Sequence, residues 1–336
     1  MKKLNYILLA GLSLVAAVSC NKSETMADEP VVNPGVPMTL TATIGGAETK
    51  MTMAEDGNVL KATWDANEKI SVITYTGSGY DAKVKTVDTF TYTGDAGKKS
   101  VDFTGSFTGD AANNIWVVYP AVEYDSVAGD YRSASGLLYG VKKDDYHIYI
   151  DYWGGEYTQT ANADPSFLKN NLLTGTGTVS GSALSVDLEP AFGVLKMTLT
   201  LPSAAEVGST VYGVRVTGTG GSLFRATGNS SWTVIGSMNY GSGVNSGVIA
   251  LSGADGIAVP ADRKLVCYMS IVPPPSSAKF GVGSITSIEV KVANKWNTSS
   301  GVPAFPDAYT ATKTLSANPA IAAEPGKMYR LELSFE

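Results

Sequence analysis

From residue 38 to the C-terminus the chain alternates apolar and polar residues with a period of two. The first such run, MTLTATI (38–44), has Met, Leu, Ala and Ile at one set of alternate positions and threonines at the other. Later runs are equally short, are rich in Val, Ile, Thr, Tyr and Phe, and are separated by Gly, Asn, Asp and Ser. This pattern is typical of β-sandwiches and β-barrels, and no long segment has the helical period. The sequence therefore predicts an all-β fold.

The length of the chain predicts more than one domain. Its 336 residues exceed what a single hydrophobic core usually serves. The alternation is interrupted near the middle by TGTGTVSGSA (174–183). We therefore predict an N-terminal β-sandwich over residues 38–180 and a C-terminal β-sandwich over residues 181–336.

The N-terminus has the three parts of a secretory signal peptide. Two lysines follow the initial Met, an apolar stretch covers residues 7–18, and small residues precede Cys20. The stretch is shorter than the about 20 apolar residues that a membrane-spanning helix needs. The sequence AVSC (17–20) resembles the bacterial lipobox, in which the cysteine becomes the lipidated N-terminus. We therefore predict a lipoprotein signal peptide over residues 1–19, with Cys20 as the lipid anchor.

The next segment, residues 20–37, is polar, acidic and proline-containing. Such a composition is typical of a flexible tether between a lipid anchor and a folded domain. No later stretch is long and apolar enough to predict a transmembrane helix.

Composition argues against nucleic-acid binding and against a metal site. The formal net charge is -6, and loss of residues 1–19 would remove two lysines and no acid. An acidic chain without a basic cluster binds nucleic acid poorly. With Cys20 lipidated, the mature chain would keep one free thiol, Cys267, which lies in an apolar run and is typical of a core residue. It would keep one histidine, His147. These are too few for a zinc site, so we predict no metal and no cofactor.

Acidic residues are frequent between residues 123 and 151, which raises the possibility of a glycosidase. That chemistry needs two carboxylates set across a sugar, and nothing in the spacing fixes such a pair. His147 alternates with Tyr146 and Ile148 as an ordinary strand residue would. Neither a nucleophile elbow nor a phosphate-binding loop occurs. We therefore predict that the protein is not an enzyme.

The segment 119–157 is rich in aromatic residues, which stack on sugars and anchor protein interfaces when exposed. Strand alternation would instead turn about half of them toward a core. Glycan binding is therefore an alternative function at this point. The aromatic residues are Tyr119, Tyr124, Tyr131, Tyr139, Tyr146, Tyr149, Tyr152, Trp153 and Tyr157.

Five motifs, in order along the chain, resemble those of the fimbrillin-like family, whose members are subunits of type V pili. The resemblance covers nearly the whole chain, and it includes a Trp-turn-acid-strand motif around Trp64, which we expect to be a core residue. The motifs are KATWDANEKISVI (61–73), VDFTGSF (101–107), IWVVYPA (115–121), LEPAFGVLKMTLT (188–200) and YMSIVPPP (268–275).

This resemblance implies two transthyretin-like β-sandwiches and a role as a shaft, tip or anchor subunit of a surface fimbria. Precursors of the family travel as lipoproteins to the outer membrane. In shaft subunits a trypsin-like protease cuts after the first strand, and a strand of the next subunit fills the vacated groove. Lys50 is the first basic residue after the first strand and is the candidate processing site, although shaft subunits more usually have Arg there.

Strand exchange is physically reasonable for both terminal strands, because each alternates cleanly. A sandwich that lacks a strand exposes an apolar groove and unpaired backbone groups, which a strand from another chain can fill. Such a head-to-tail contact propagates as a filament. The alternative is that both strands are ordinary edge strands of a monomer. The candidate donor residues of the last strand are Tyr329, Leu331, Leu333 and Phe335.

The sequence thus predicts a structural fimbrial subunit with a role in adhesion, anchored in the outer membrane and exposed at the cell surface. Its expected partners are other fimbrial subunits, the membrane through the lipid on Cys20, and a host glycan or protein receptor. The alternative function is that of an outer-membrane, lipid-anchored glycan-binding protein.

Overall fold

The computed structural model describes strands and turns between Gly35 and Phe335. Within the described residues no helix is present, and hence none that could cross a membrane. The all-β class is confirmed. The described residues are 35–44, 54–56, 59–61, 63–78, 82–125, 130–133, 139–142, 147–150, 157–159, 161–164, 172–191, 193–219, 224–225, 231–234, 243–244, 246–251, 256–271, 282–293, 308–315, 320–322, 324 and 326–335.

The strands are β1 (Val36–Ile44), β2 (Ala54–Asp56), β3 (Val59–Lys61), β4 (Lys69–Thr76), β5 (Lys83–Thr91), β6 (Ser100–Phe107), β7 (Asn114–Tyr119), β8 (Val122–Asp125), β9 (Asp130–Ser133), β10 (Tyr139–Lys142), β11 (His147–Ile150), β12 (Tyr157–Gln159), β13 (Leu173–Thr176), β14 (Thr178–Ser180), β15 (Ala183–Pro190), β16 (Gly193–Thr200), β17 (Thr210–Thr219), β18 (Phe224–Arg225), β19 (Ser231–Val234), β20 (Gly243–Val244), β21 (Ser246–Leu251), β22 (Ile257–Ala258), β23 (Lys264–Ile271), β24 (Val282–Ala293), β25 (Ala308–Thr314), β26 (Ala320–Ala322) and β27 (Met328–Ser334).

The first sheet closes on itself. Its order is β1-β6-β5-β4-β7-β13-β15-β14, and β1 also pairs with β15. The strands from β1 to β15 therefore form a ring, and β14 pairs with β15 alongside it. Closing a sheet removes the edges that would otherwise present unpaired backbone groups.

An aromatic-rich core fills this ring, and we call it the N-terminal core. Trp64 is fully buried in it, with Phe103 at 5.0 Å and Tyr119 at 5.6 Å between ring centroids, both edge to face. Edge-to-face contact is a favoured arrangement of aromatic rings. The prediction that Trp64 is a core residue is confirmed.

Two of the sequence motifs have a clear structural reason. A Cβ on Gly105 would lie 2.8 Å from the ring of Phe90, its partner on β5, so only glycine allows that ring to lie across β6. Asn67 has a φ of 64° in the turn before β4. Asparagine tolerates this left-handed conformation better than most residues, which explains how the turn forms without glycine.

A second core lies between two further sheets, and we call it the C-terminal core. One sheet has the order β23-β16-β27, and the other has the order β12-β21-β17-β24-β25, with β22 and β26 paired to it. Leu, Val, Ile and Met side chains of β16 and β23 pack against those of β17 and β24. Two packed sheets with a common core form a β-sandwich, as predicted.

Several strands pair with partners that are distant in sequence. β12 lies beside β21 in the sheet of the C-terminal core, whereas β15 belongs to the first sheet. A separate sheet of order β19-β11-β10-β9-β8 joins β19 to β11. Pro34–Glu336 forms one compact unit, and the division into domains at residue 180 stays a prediction.

Candidate functional site

Strand β1 lies between two strands and is not an edge strand. Val36–Thr43 pairs antiparallel with β6, and Thr39–Ile44 pairs parallel with β15. Both rows of backbone groups along β1 therefore take part in a ladder. The alternative prediction, that β1 is an ordinary edge strand, is wrong.

The inward face of β1 forms part of the N-terminal core. Leu40 and Ala42 are fully buried, Ile44 is nearly so, and Met38 is partly buried against the same core. Loss of β1 would therefore open a groove along the ring. Its register neighbours are Phe103 and Leu184 beside Leu40, Val101 and Val186 beside Ala42, and Leu188 beside Ile44.

The outward face of β1 is polar and is hydrogen-bonded to β6. Thr41 donates its hydroxyl to a carboxylate oxygen of Asp102 at 2.7 Å. The hydroxyls of Thr43 and Ser100 share a hydrogen bond of 2.9 Å. The two faces of β1 therefore each have specific partners on its neighbours.

The predicted anchor and processing residues flank this strand in sequence. Cys20 and Lys50 lie outside the described residues, as do the signal peptide and most of the tether. Cys20 lipidation and Lys50 cleavage stay predictions.

Strand β27 is in a different situation. It pairs parallel with β16 and ends the order of its sheet. Arg330, Glu332 and Ser334 are exposed. Exposed and partly buried residues therefore alternate along β27, as the sequence pattern predicts. The residues of its other face are partly buried and pack against the C-terminal core; they are Tyr329, Leu331, Leu333 and Phe335.

The opposite edge of this sheet is covered by side chains instead of a strand. The amide of Gln159, which is fully buried, donates to the carbonyl of Val266 at 2.7 Å and accepts from the N–H of Tyr268 at 3.2 Å. Asn162 accepts from the N–H of Val266 at 2.7 Å and donates to the carbonyl of Lys264 at 3.1 Å. The backbone N–H of Ala163 also donates to the carbonyl of Val266, at 3.1 Å. Two side chains and one backbone group thus take the place of a neighbouring strand along β23.

Comparison with known proteins gives structural likeness without sequence matches. No protein-family profile matches the chain, and no curated protein sequence matches it. A proposed cell adhesion protein from Bacteroides ovatus is 12% identical, with a TM-score of 0.47, over 90% of this chain and 93% of that chain. The tip fimbrial protein Mfa3 from Porphyromonas gingivalis is 10% identical, with a TM-score of 0.34, over 88% and 94%. The fimbrial anchor protein Mfa2 from the same species is 10% identical, with a TM-score of 0.33, over 77% and 79%.

The buried polar groups of the N-terminal half have structural partners. Asp88 is nearly buried and accepts hydrogen bonds from the backbone N–H and the hydroxyl of Thr108, at 2.9 and 2.6 Å. Burial raises its pKa above the ordinary value of 3.8, and the hydrogen bonds from Thr108 partly oppose that rise. Asp88 therefore holds the turn after β6 against β5.

The chemically reactive groups of the described residues do not form a reactive constellation. Cys267 is fully buried in the C-terminal core, where burial raises the pKa of its thiol and keeps it protonated. His147 lies in β11, paired with Val234 of β19. No group of three or more His, Cys, Asp or Glu residues is placed to hold a metal ion in the described parts of the chain.

Two aromatic residues of the aromatic-rich segment have described side chains, one buried and one exposed. Tyr119 is buried against Trp64, whereas Tyr124 is 50% exposed on β8. Tyr124 lies opposite Tyr131 in the register of β8 and β9. The buried position of Tyr119 follows the expectation that part of this aromatic set faces a core.

Sequence reasoning missed Asp88, Gln159 and Asn162. Each is a single polar residue. The partners of Gln159 and Asn162 lie on β23, far along the chain, and the partner of Asp88 lies in the turn after β6. Only their position beside predicted strands could have drawn attention to them, and many exposed residues share that position.

Proposed function

We propose that this protein is a structural, non-enzymatic subunit of a surface fimbria, with a role in adhesion, that assembles by exchange of its first strand. The observation that carries the proposal is the position of β1, which completes a closed ring with a fully formed inward face. The ordered fimbrillin-like motifs of the sequence give the biological setting. The protein could occupy the shaft, tip or anchor of the fimbria.

Removal of β1 would create a strong acceptor for another strand. Backbone groups of β6 and β15 would lose their partners, and the inward positions of Leu40, Ala42 and Ile44 would become an apolar groove. Unpaired backbone and exposed apolar surface are each unfavourable in water, and one extended strand corrects both. Insertion of a strand from the next subunit would then join subunits head to tail.

Lipidation and processing fit this scheme if Lys50 is cut. Cys20 and β1 both precede Lys50, so one cut would separate the lipid and the first strand from the rest of the fold. The precursor would reach the outer membrane as a lipoprotein and leave its anchor when it assembles. An uncut subunit would stay in the membrane, as an anchor does.

The last strand is the proposed donor. Its inward residues alternate as those of β1 do, and they are only partly buried against the C-terminal core. Withdrawing a partly buried face from β16 costs less free energy than withdrawing a fully buried one. A one-residue shift of register would turn Arg330, Glu332 and Ser334 inward, so the pairing should be specific.

The anchor is tested by the substitution Cys20→Ala. Without the thiol no lipid can be attached, so the protein should leave the membrane fraction or remain as the unprocessed precursor. The measurement is membrane fractionation with and without detergent, and Cys267→Ala, which keeps Cys20, is the matched control. A Cys20→Ala protein that still fractionates with the outer membrane would contradict the anchor.

Assembly is tested by cutting the purified protein after Lys50 with trypsin and following its size by light scattering. We expect growth into oligomers, and we expect it to stop when residues 328–336 are deleted. Lys50→Gln, which removes this cut, is the control and should remain monomeric. A cut protein that stays monomeric with β1 still bound would contradict strand exchange. If that protein also bound a glycan array, the glycan-binding alternative would replace the proposal.

A further inference from the structure

The groove that β1 fills has inward positions of unequal size. Ala42 is fully buried and lies in register between Val101 on β6 and Val186 on β15, both of which are buried. Residues opposite each other on paired strands have Cβ atoms about 4.5 to 5.5 Å apart. The Ala42 position therefore holds one methyl group between two β-branched side chains, whereas the neighbouring position holds the whole side chain of Leu40.

The last strand of this chain has no small residue on its inward face. When β27 is aligned with β1 so that all four inward positions are filled, Leu333 falls at Ala42, and Leu331 falls there if the strand is reversed. Alignments that fill three positions place Leu331, Leu333, Phe335 or Tyr329 there. Close-packed interiors accommodate extra side-chain carbons only with strain.

The outward face gives a second, independent mismatch. Thr41 lies opposite Asp102 and donates a hydrogen bond to its carboxylate. Both alignments of β27 that fill all four inward positions place Glu332 at Thr41. Like charges directly opposite each other on paired strands are unfavourable.

We infer that the groove of this subunit prefers a replacement strand from a different polypeptide and binds the last strand of a second copy of this chain more weakly. The preferred strand has a small inward residue between Val101 and Val186, and it has a hydroxyl, an amide or a cation opposite Asp102. The inference rests on the proposed exchange of β1. When both strands are available, assembly through this groove then favours unlike subunits. The strand β27 in turn fits best in an acceptor groove that has more room at the position equivalent to Ala42.

The first test does not require β1 to leave the fold, because the sequence of β1 is replaced by mutation within the full chain. Residues 38–44 are replaced by the sequence of residues 329–335, and urea midpoints are measured. The same chimera carrying Leu333→Ala should be more stable than the parent chimera, although it has less apolar surface to bury. The chimera carrying Glu332→Thr should also gain stability, and the gain should shrink in high salt.

Wild-type protein is the matched control for these chimeras. The inference is overturned if the parent chimera is as stable as wild type, or if Leu333→Ala lowers its midpoint. If the chimeras do not fold, the peptide competition below tests the inference.

The second test uses peptides on wild-type protein cut after Lys50. A fluorescent peptide of residues 35–44 is allowed to exchange into the groove, and unlabelled competitors displace it. The peptide of residues 327–336 should compete at least about tenfold less well than unlabelled 35–44, and its Leu333→Ala form should recover most of that difference. Equal competition by all peptides overturns the inference. If the labelled peptide does not enter the groove, that result contradicts the proposed function. The stability of the chimeras then tests the inference.

Discussion

The first and last described strands lie in sheets that protect their edges in different ways. The first strand completes a ring, so β1 has a partner strand on each side. The last strand ends a three-stranded sheet, whose opposite edge is covered by the amides of Gln159 and Asn162. Equal alternation in sequence therefore accompanies burial of Leu40, Ala42 and Ile44 in β1 but only partial burial of the inward residues of β27. The alternation of apolar and polar residues predicts which face of a strand is apolar. How deeply that face is buried depends on which strands pair with it.

The two cores also differ in chemistry. Among the described residues, six of the eighteen buried members of the N-terminal core are aromatic, whereas the buried members of the C-terminal core are aliphatic residues with Met and Cys. Aromatic residues bury more area each, so loss of an aromatic side chain in the ring should cost more than loss of an aliphatic one in the sandwich.

The largest effect is expected at the centre of the ring. Trp64→Ala should lower the free energy of unfolding by about 3 to 5 kcal/mol, because it removes the ring that packs against Phe103 and Tyr119. Urea denaturation followed by circular dichroism measures this loss. Val36→Ala, at a side chain that is 57% exposed, should change stability little. A Trp64→Ala protein of unchanged stability would contradict the expected larger cost of losing an aromatic side chain in the ring.

A matched pair of leucines tests the comparison of the two terminal strands directly. Leu40→Ala should cost about 2 to 5 kcal/mol, because Leu40 is fully buried. Leu331→Ala should cost roughly half as much, because part of its side chain already contacts water. Denaturant unfolding of both variants gives the ratio. Equal losses would mean that β27 is held as firmly as β1, and would weaken its case as a donor.

The covered edge of β23 is tested by Gln159→Ala. The substitution removes one partner each from the carbonyl of Val266 and the N–H of Tyr268 inside the fold, at an expected cost of about 1 to 3 kcal/mol. Amide hydrogen exchange at Tyr268 should accelerate at the same time. Asn162→Ala is the control and should cost less, since Asn162 is exposed. Unchanged exchange at Tyr268 would show that the edge does not depend on the Gln159 amide.

The smallest effect concerns pH. Burial raises the pKa of Asp88 above 3.8, so the folded state holds its proton more tightly than the unfolded state does. The stabilisation linked to that proton is fully present below the unfolded pKa and is lost as pH rises through the folded pKa. The stability of wild type relative to Asp88→Asn should therefore fall as pH rises above the ordinary pKa of 3.8. A difference that stays constant, or that rises with pH, would contradict this assignment.

The sequence was a good guide to local features and a poor one to pairing. Alternation located β1 and β27, and the Trp-turn motif placed Trp64 in a core, because these patterns depend on neighbouring residues. The parallel pairing of β1 with β15 had no local signal, since Leu40 and Leu184 are far apart in sequence. The same holds for β12 beside β21 and for the amide of Gln159 on β23.

Closure of the ring also sets an order of events during synthesis. β15 is made long after β1, so the ring cannot close until the chain has been extended past Leu188. Contacts between residues so far apart in sequence form slowly. The chain loses conformational entropy when it closes the intervening loop, before the new contacts stabilise the structure. We therefore expect the pairing of β1 with β15 to form last and ring closure to be the slow step of folding. A nascent chain would pass through a state in which β1 is paired with β6 alone and one side of β1 is exposed, and in that state it most needs protection from aggregation.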